Sequence, residues 1–228
     1  MPVGHWPIVV QATIDVAGAD GYHTDKNGQP MALVAYAPNW TLVASHELIE
    51  MLVDPFGTRI VPGPSLDPAH PQNRVQYLLE ACDPVQDAKY AYTINGVVVS
   101  NFIAPAFHDP AGTNAARYDF TGAVTGPRDV LSNGYISWLD DAGGGWFQLT
   151  NFEGDPNRIT ALPPQTAADS TQSLREYVHR ANPQSQKPPK IGAEQKTAFD
   201  RIRVGGAMAS VAASRTTAAL IETCLGRK

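Results

Sequence analysis

His46, Glu47, Glu50 and Asp54 fall in one nine-residue stretch, and their types and spacing suit the binding of a cation. At about 100° per residue, the step of an α-helix, His46, Glu50 and Asp54 line up at i, i+4 and i+8, with Glu47 beside them. The stripe holds three carboxylates, and no Lys or Arg occurs between Lys26 and Arg59. Like charges at i, i+4 repel, and Asp54 sits at the C-terminal end, where the helix dipole disfavours an anion. A divalent metal ion bound by the imidazole and the carboxylates would supply the missing positive charge. The alternative is a solvated acidic face, the commoner fate of such a stripe, and H-E-x-x-E alone is a loose pattern.

The elements that must position these groups can be read around them. Thr41–Asp54 is expected to be a helix ended by Pro55. The rest of its surface (Leu42, Ala44, Leu48, Ile49, Met51, Leu52, Val53) is apolar, which predicts burial of most of the circumference. Met31–Ala37 reads as a strand that follows an Asn27-Gly28 turn and leads through Pro38-Asn39-Trp40 into the helix. A second acidic pair, Glu80 and Asp83, lies in Val75–Pro84, with Cys82 between them read as a packed thiol.

A strand next to a helix bearing H-E-x-x-H is the arrangement of the zincin metallopeptidases, and this sequence resembles them with Glu50 in place of the second histidine. Ser45–Pro55 is similar, more narrowly, to a group of bacterial proteins with S-H-E-x-x-E-x-x-x-D-P and a later E-x-x-D segment, matched here by Glu80-Ala-Cys-Asp83. The likeness spans about residues 20–150 and is moderately specific in those two motifs only. It implies Zn²⁺, or another divalent ion, held by His46 and Glu50. Glu80 is the first choice for the third ligand, since a glutamate serves there in the gluzincin branch, and Asp83 is a rival ligand or a support. Glu47 would be the general base that deprotonates the attacking water. Asp54 would orient a ligand or the Glu80 segment. A second carboxylate ligand makes the ion a weaker Lewis acid, so the scaffold could persist with little activity. Tyr118, Tyr135, His108 and Arg117 are candidates for stabilising an oxyanion. Two functions stay open: a zinc metallopeptidase acting on peptide or protein, and a non-catalytic binding or structural protein with a bracing metal.

The 228-residue chain can bury a sizeable core. A charged fraction of 17% and a net charge of −5 argue against a nucleic-acid partner. No apolar run reaches the ~18 residues of a membrane span, and the start lacks the features of a signal peptide, so the default is a cytoplasmic protein without membrane contact. Cys82 and Cys224 are too few for a disulfide framework.

The expected fold is α+β and zincin-like: a mixed sheet with a buried metal-site helix, β-hairpins and a C-terminal helical appendage. Residues 7–17 predict a first strand and 18–25 a polar loop carrying His23. Gly57–Gln72 reads as an irregular Pro-rich stretch containing His70. One hairpin is expected at Asn95-Gly96 and another across residues 134–149, where Trp138 and Trp146 could pair. The composition divides the chain into a core (1–155), a Pro-rich linker with a short helix near Thr171–Arg180 (156–190), and an Ala-rich helix (191–228) suited to self-association.

Overall fold

The computed structural model describes residues 4–16, 18–109, 117–142, 144–167, 169 and 172–183. Strand β1 (Ile8–Gln11) is followed by a hairpin of β2 (Gly21–Lys26) and β3 (Gln29–Ala35). Asn27 and Gly28 take φ of 56° and 76° at its turn, the conformation an Asn-Gly pair adopts most readily. The order is β1-β3-β2, with β1 parallel and β2 antiparallel to the centre. Helix α1 (Trp40–Val53) then packs against this sheet.

A second, wholly antiparallel sheet has the order β10-β9-β8-β5-β4. Its strands are β4 (Ile60–Pro64), β5 (Arg74–Leu78), β8 (Tyr135–Asp140), β9 (Gly145–Phe152) and β10 (Asp155–Ala161). The small hairpin of β6 (Tyr92–Ile94) and β7 (Val97–Val99) turns at Asn95-Gly96, as expected, and β7 packs against α1. Helix α2 (Leu174–Ala181) closes the described chain. The protein is thus mixed α+β, mostly sheet, with two α-helices among the described residues.

Each face of the five-stranded sheet buries its own cluster, because alternate residues point to opposite sides. Val75, Tyr77, Ile136 and Trp138 join Ile103, Phe107 and Tyr118 on one side, with Ile49 and Val53 of α1 packed against them. Leu78 and Trp146 meet Leu162, Tyr177 and Val178 on the other, beneath α2.

Several expectations are corrected. The first strand covers only Ile8–Gln11, and the expected loop containing His23 is strand β2. The irregular Pro-rich stretch contains β4, whose Pro62 and Pro64 are tolerated because the strand lies at the sheet edge. Trp138 faces Phe147 across the hairpin and Trp146 faces Leu139, a register one residue from the expected pair, so the two tryptophans serve opposite clusters. Two stretches of the expected linker are built into the fold: β10 adds to the sheet, and α2, which starts at Leu174, covers the sheet's second cluster. The proposed C-terminal self-association helix lies outside the described residues. Among those described, no helix is long and apolar enough to cross a membrane.

Candidate metal centre

Helix α1 departs from what its composition suggests on two arcs. Leu48 and Leu52 are 37% and 62% exposed, whereas Glu47, Glu50 and Asp54 are buried with Val43 and Met51. The expected burial of Leu48 and Leu52 is therefore corrected. Apolar residues occupy most of the helix surface, but the carboxylate stripe faces inward, because β2, the 79–83 turn and α2 supply polar partners there. No acidic residue stands in the first turn and no basic one in the last.

The partner on β2 is His23, which is 2% exposed. Its Nε2 lies 3.1 Å from the carbonyl oxygen of Asp54, so that nitrogen carries the proton. Its Nδ1 faces Glu47 Oε2 at 3.4 Å and Glu50 Oε2 at 3.7 Å. This approach depends on Gly21, where a Cβ would stand 2.5 Å from Val43 Cγ1 and 3.2 Å from Glu47 Oε1. Asp54 also organises the helix exit, its Oδ2 accepting from Arg59 N at 2.7 Å.

From the 79–83 turn, Asp83 Oδ1 reaches His46 Nε2 at 3.2 Å, and His46 Nε2 is equally 3.2 Å from Glu50 Oε1. The backbone amide of Cys82 donates to Glu50 Oε1 at 3.1 Å. The Cys82 thiol packs against the carbonyl of His46 at 3.7 Å. Helix α2 brings Arg175. Its Nη2 bonds Glu47 Oε2 at 3.2 Å, its Nη1 donates to the His23 carbonyl at 2.9 Å, and its Nε lies 3.4 Å from Glu80 Oε2. A capping box of Ser173 and Glu176 starts this helix, and the Arg175 amide donates to Gly57 O at 3.0 Å.

Two sets of three side chains bring one possible ligand atom each within 4.8 Å of one another: His46 with Glu50 and Cys82, and His23 with Glu50 and Glu80. Glu50 belongs to both. Five carboxylates (Glu47, Glu50, Asp54, Glu80, Asp83) are thus buried around one guanidinium and the imidazoles. Among the described residues, Glu50 Oε2, both oxygens of Glu80 and Asp83 Oδ2 have no hydrogen-bond partner, an expensive condition for buried carboxylates that a bound cation relieves.

The electrostatics follow. Burial, reinforced by the charge of Glu50, pushes Glu80 well above the usual carboxylate range and raises Asp83 too. Burial opposes ionisation of Glu50, but the neighbouring His46 outweighs it and holds Glu50 below that range. Burial also opposes charging of His46, yet Glu50 and Asp83 raise it well above an ordinary histidine. The Cys82 thiol is pushed well up by burial and then by Glu50, which suits a packed thiol.

A small cavity of about 10 Å³, room for about one water, lies beside the cluster, lined in part by Glu80, Asp83, His108, Tyr135 and His179. Of the oxyanion candidates, Tyr135 and His108 line it. Tyr118 is buried in the core beneath the sheet, and Arg117 lies over the Phe120 ring at 5.5 Å. Tyr135 Oη is 3.1 Å from His179 Nε2, and burial with Arg175 nearby holds His179 well below its usual value, as a neutral ring.

The structure therefore brings together His46, Glu47, Glu50, Glu80 and Asp83. It divides them differently from the sequence expectation: Asp83 is the residue that reaches His46, while Glu80 closes with His23 and Arg175. His23 and Arg175 were missed, and each had a signal. An Asn-Gly turn needs a strand before it as well as after, which makes Gly21–Lys26 a strand, and Ser173-Leu-Arg-Glu176 spells a helix start with Arg175 and His179 one turn apart. His70, the loop histidine, pairs with Asp67 at 3.1 Å and is half exposed. Comparison with protein-family models, curated proteins and solved structures gives no match.

Proposed function

We propose that the protein is a divalent-metal-dependent hydrolase, with zinc ranked first and peptide bonds as the substrate, on a zincin-like scaffold. The observation that carries this reading is Glu50: fully buried, within reach of imidazoles from two elements, and with one oxygen left unpartnered among the described residues. The donor set of imidazole and carboxylate suits Zn²⁺, and also Mn²⁺ or Fe²⁺, of which Zn²⁺ binds tightest in general. His46 and Glu50 would hold the ion, with Asp83 the best placed of the later carboxylates and Glu80 close by. When bound, such an ion acidifies water and polarises a carbonyl.

This chain's own groups supply the rest. Glu47 is the base in this reading, one residue along from His46 on the buried face of α1. Its Oε2 already accepts a hydrogen bond from Arg175, which it must loosen to take a proton from water. Slow turnover is expected. Tyr135, beside Asp83 and the small cavity, is the favoured donor to a developing oxyanion. Neither edge of β3 is open to an added strand, because β1 and β2 pair with both.

The test is cleavage of a diverse peptide library by zinc-loaded protein, Glu47→Gln protein and chelated protein. Cleavage only in the first supports the reading; none, or equal cleavage in all three, defeats it. Arg175 favours a second reading, a non-catalytic binding or structural protein. Its guanidinium lies within 3.2–3.7 Å of Glu47, Glu50 and Glu80 and gives the cluster a permanent internal cation. Stoichiometric metal without cleavage would select that alternative.

A further inference from the structure

We propose that the cluster holds two divalent cations rather than one, bridged by Glu50, with the second bound by His23, Glu50 and Glu80. The inference rests on the metal reading above and goes beyond it in number and in ligands. Glu50 presents its two oxygens in different directions: Oε1 toward His46 at 3.2 Å and the Cys82 amide at 3.1 Å, Oε2 toward His23 at 3.7 Å. A carboxylate with imidazoles facing each of its oxygens is arranged as a bridge.

His23 is prepared for a ligand role by the bond its other nitrogen makes. With Nε2–H donating to the Asp54 carbonyl, the lone pair of the neutral ring is on Nδ1 and points at Glu47 and Glu50. A lone pair aimed at carboxylates is repulsive unless a proton or a cation lies between them. Glu80 completes the set, 7% exposed, with neither of its oxygens hydrogen-bonded among the described residues.

Arg175 does not already fill this place. Its hydrogen bonds go to Glu47 and to the His23 carbonyl, while its Nε, 3.4 Å from Glu80 Oε2, makes no hydrogen bond among the described residues. Glu50 Oε2 and Glu80 Oε2 meet Arg175 only as longer ion pairs, at 3.7 and 3.4 Å, and accept no hydrogen bond among the described residues. Carboxylate-bridged ion pairs stand about 3.5–4 Å apart, close enough for their electron spins to couple.

The experiment strips the full-length chain with chelator and titrates it with Mn²⁺, counting bound ions by elemental analysis and recording electron paramagnetic resonance. Two ions per chain with a spin-coupled spectrum are expected. His23→Gln and Glu80→Gln should each bind one ion with an uncoupled six-line spectrum, and Glu50→Gln should lose the coupled pair. Near-UV circular dichroism shows whether each variant keeps its packing; if His23→Gln does not fold, Glu80→Gln, nearly isosteric, decides. One ion in the parent chain, retained in both variants, overturns this inference and leaves the single-metal reading standing. No bound ion overturns both.

Discussion

Arg175 joins three acidic side chains from two different segments, and its replacement separates a charge-compensating role from a packing role. Arg175→Met keeps most of the buried stem but leaves Glu47, Glu50 and Glu80 without their guanidinium. Removing one partner of a buried ion pair typically destabilises by about 3–5 kcal/mol. We expect a loss of that size in urea unfolding of the metal-free variant, and a partial recovery when Zn²⁺ is added, because a metal supplies the same sign of charge. Equal stability of parent and variant would show that the carboxylates are not charged in the folded, metal-free state. His46 and Glu50 could be paired from the sequence because helical spacing is local. His23 and Arg175 could not, since their place depends on a strand and a helix that meet α1 from 24 and 128 positions away.

At the scale of elements, the uneven burial of α1 makes a contrast that mutagenesis can read. Leu52→Gln changes a side chain that is 62% exposed, so the unfolding free energy should stay within about 0.5 kcal/mol of the parent. Gly21→Ala adds one methyl on β2, yet it would meet Val43 Cγ1 at 2.5 Å and press on Glu47, so a loss of about 1–3 kcal/mol is expected. A large effect of Leu52→Gln beside a silent Gly21→Ala would mean that α1 packs with its leucines inward. Apolar count was only a partial guide to this helix: Leu42 and Met51 are buried and Ile49 and Val53 pack on the core, but the arc of Leu48 and Leu52 is exposed while the carboxylate arc is covered. Turn chemistry was a better guide, because an Asn-Gly pair restricts its own backbone whatever surrounds it. The Asn95-Gly96 hairpin forms where expected, and the expected Asn27-Gly28 turn joins two strands rather than a loop and a strand.

For the whole molecule, pH tests whether the space beneath α2 excludes charge as its burial implies. His108 packs against Tyr77, tilted, and Phe107, edge-on, with ring centroids at 5.5 and 5.1 Å, and neither of its nitrogens is hydrogen-bonded among the described residues. Burial, with Arg128 adding to it, pushes its pKa from 6.5 down to about 4. The unfolded chain therefore takes up a proton as pH falls below 6.5, while the folded protein resists until about pH 4. Stability linked to His108 is fully present above pH 6.5 and is lost as pH falls through that window. The loss reaches ~3 kcal/mol, because each pH step of one across the window costs about 1.4 kcal/mol. Other groups titrate in the same range: His46, Glu80 and Asp83 are raised, which favours the folded state at lower pH, and Glu50 is lowered, which opposes it. The comparison must therefore be a difference between two proteins that share those groups. His108→Phe keeps a packed ring and removes the titration. Urea unfolding of parent and variant at pH 7, 6, 5 and 4, in chelator, should show the parent falling behind the variant as pH drops, with most of the change between pH 6.5 and 4. Parallel curves would mean that water reaches the His108 ring and that the space beneath α2 is open enough to carry a charge.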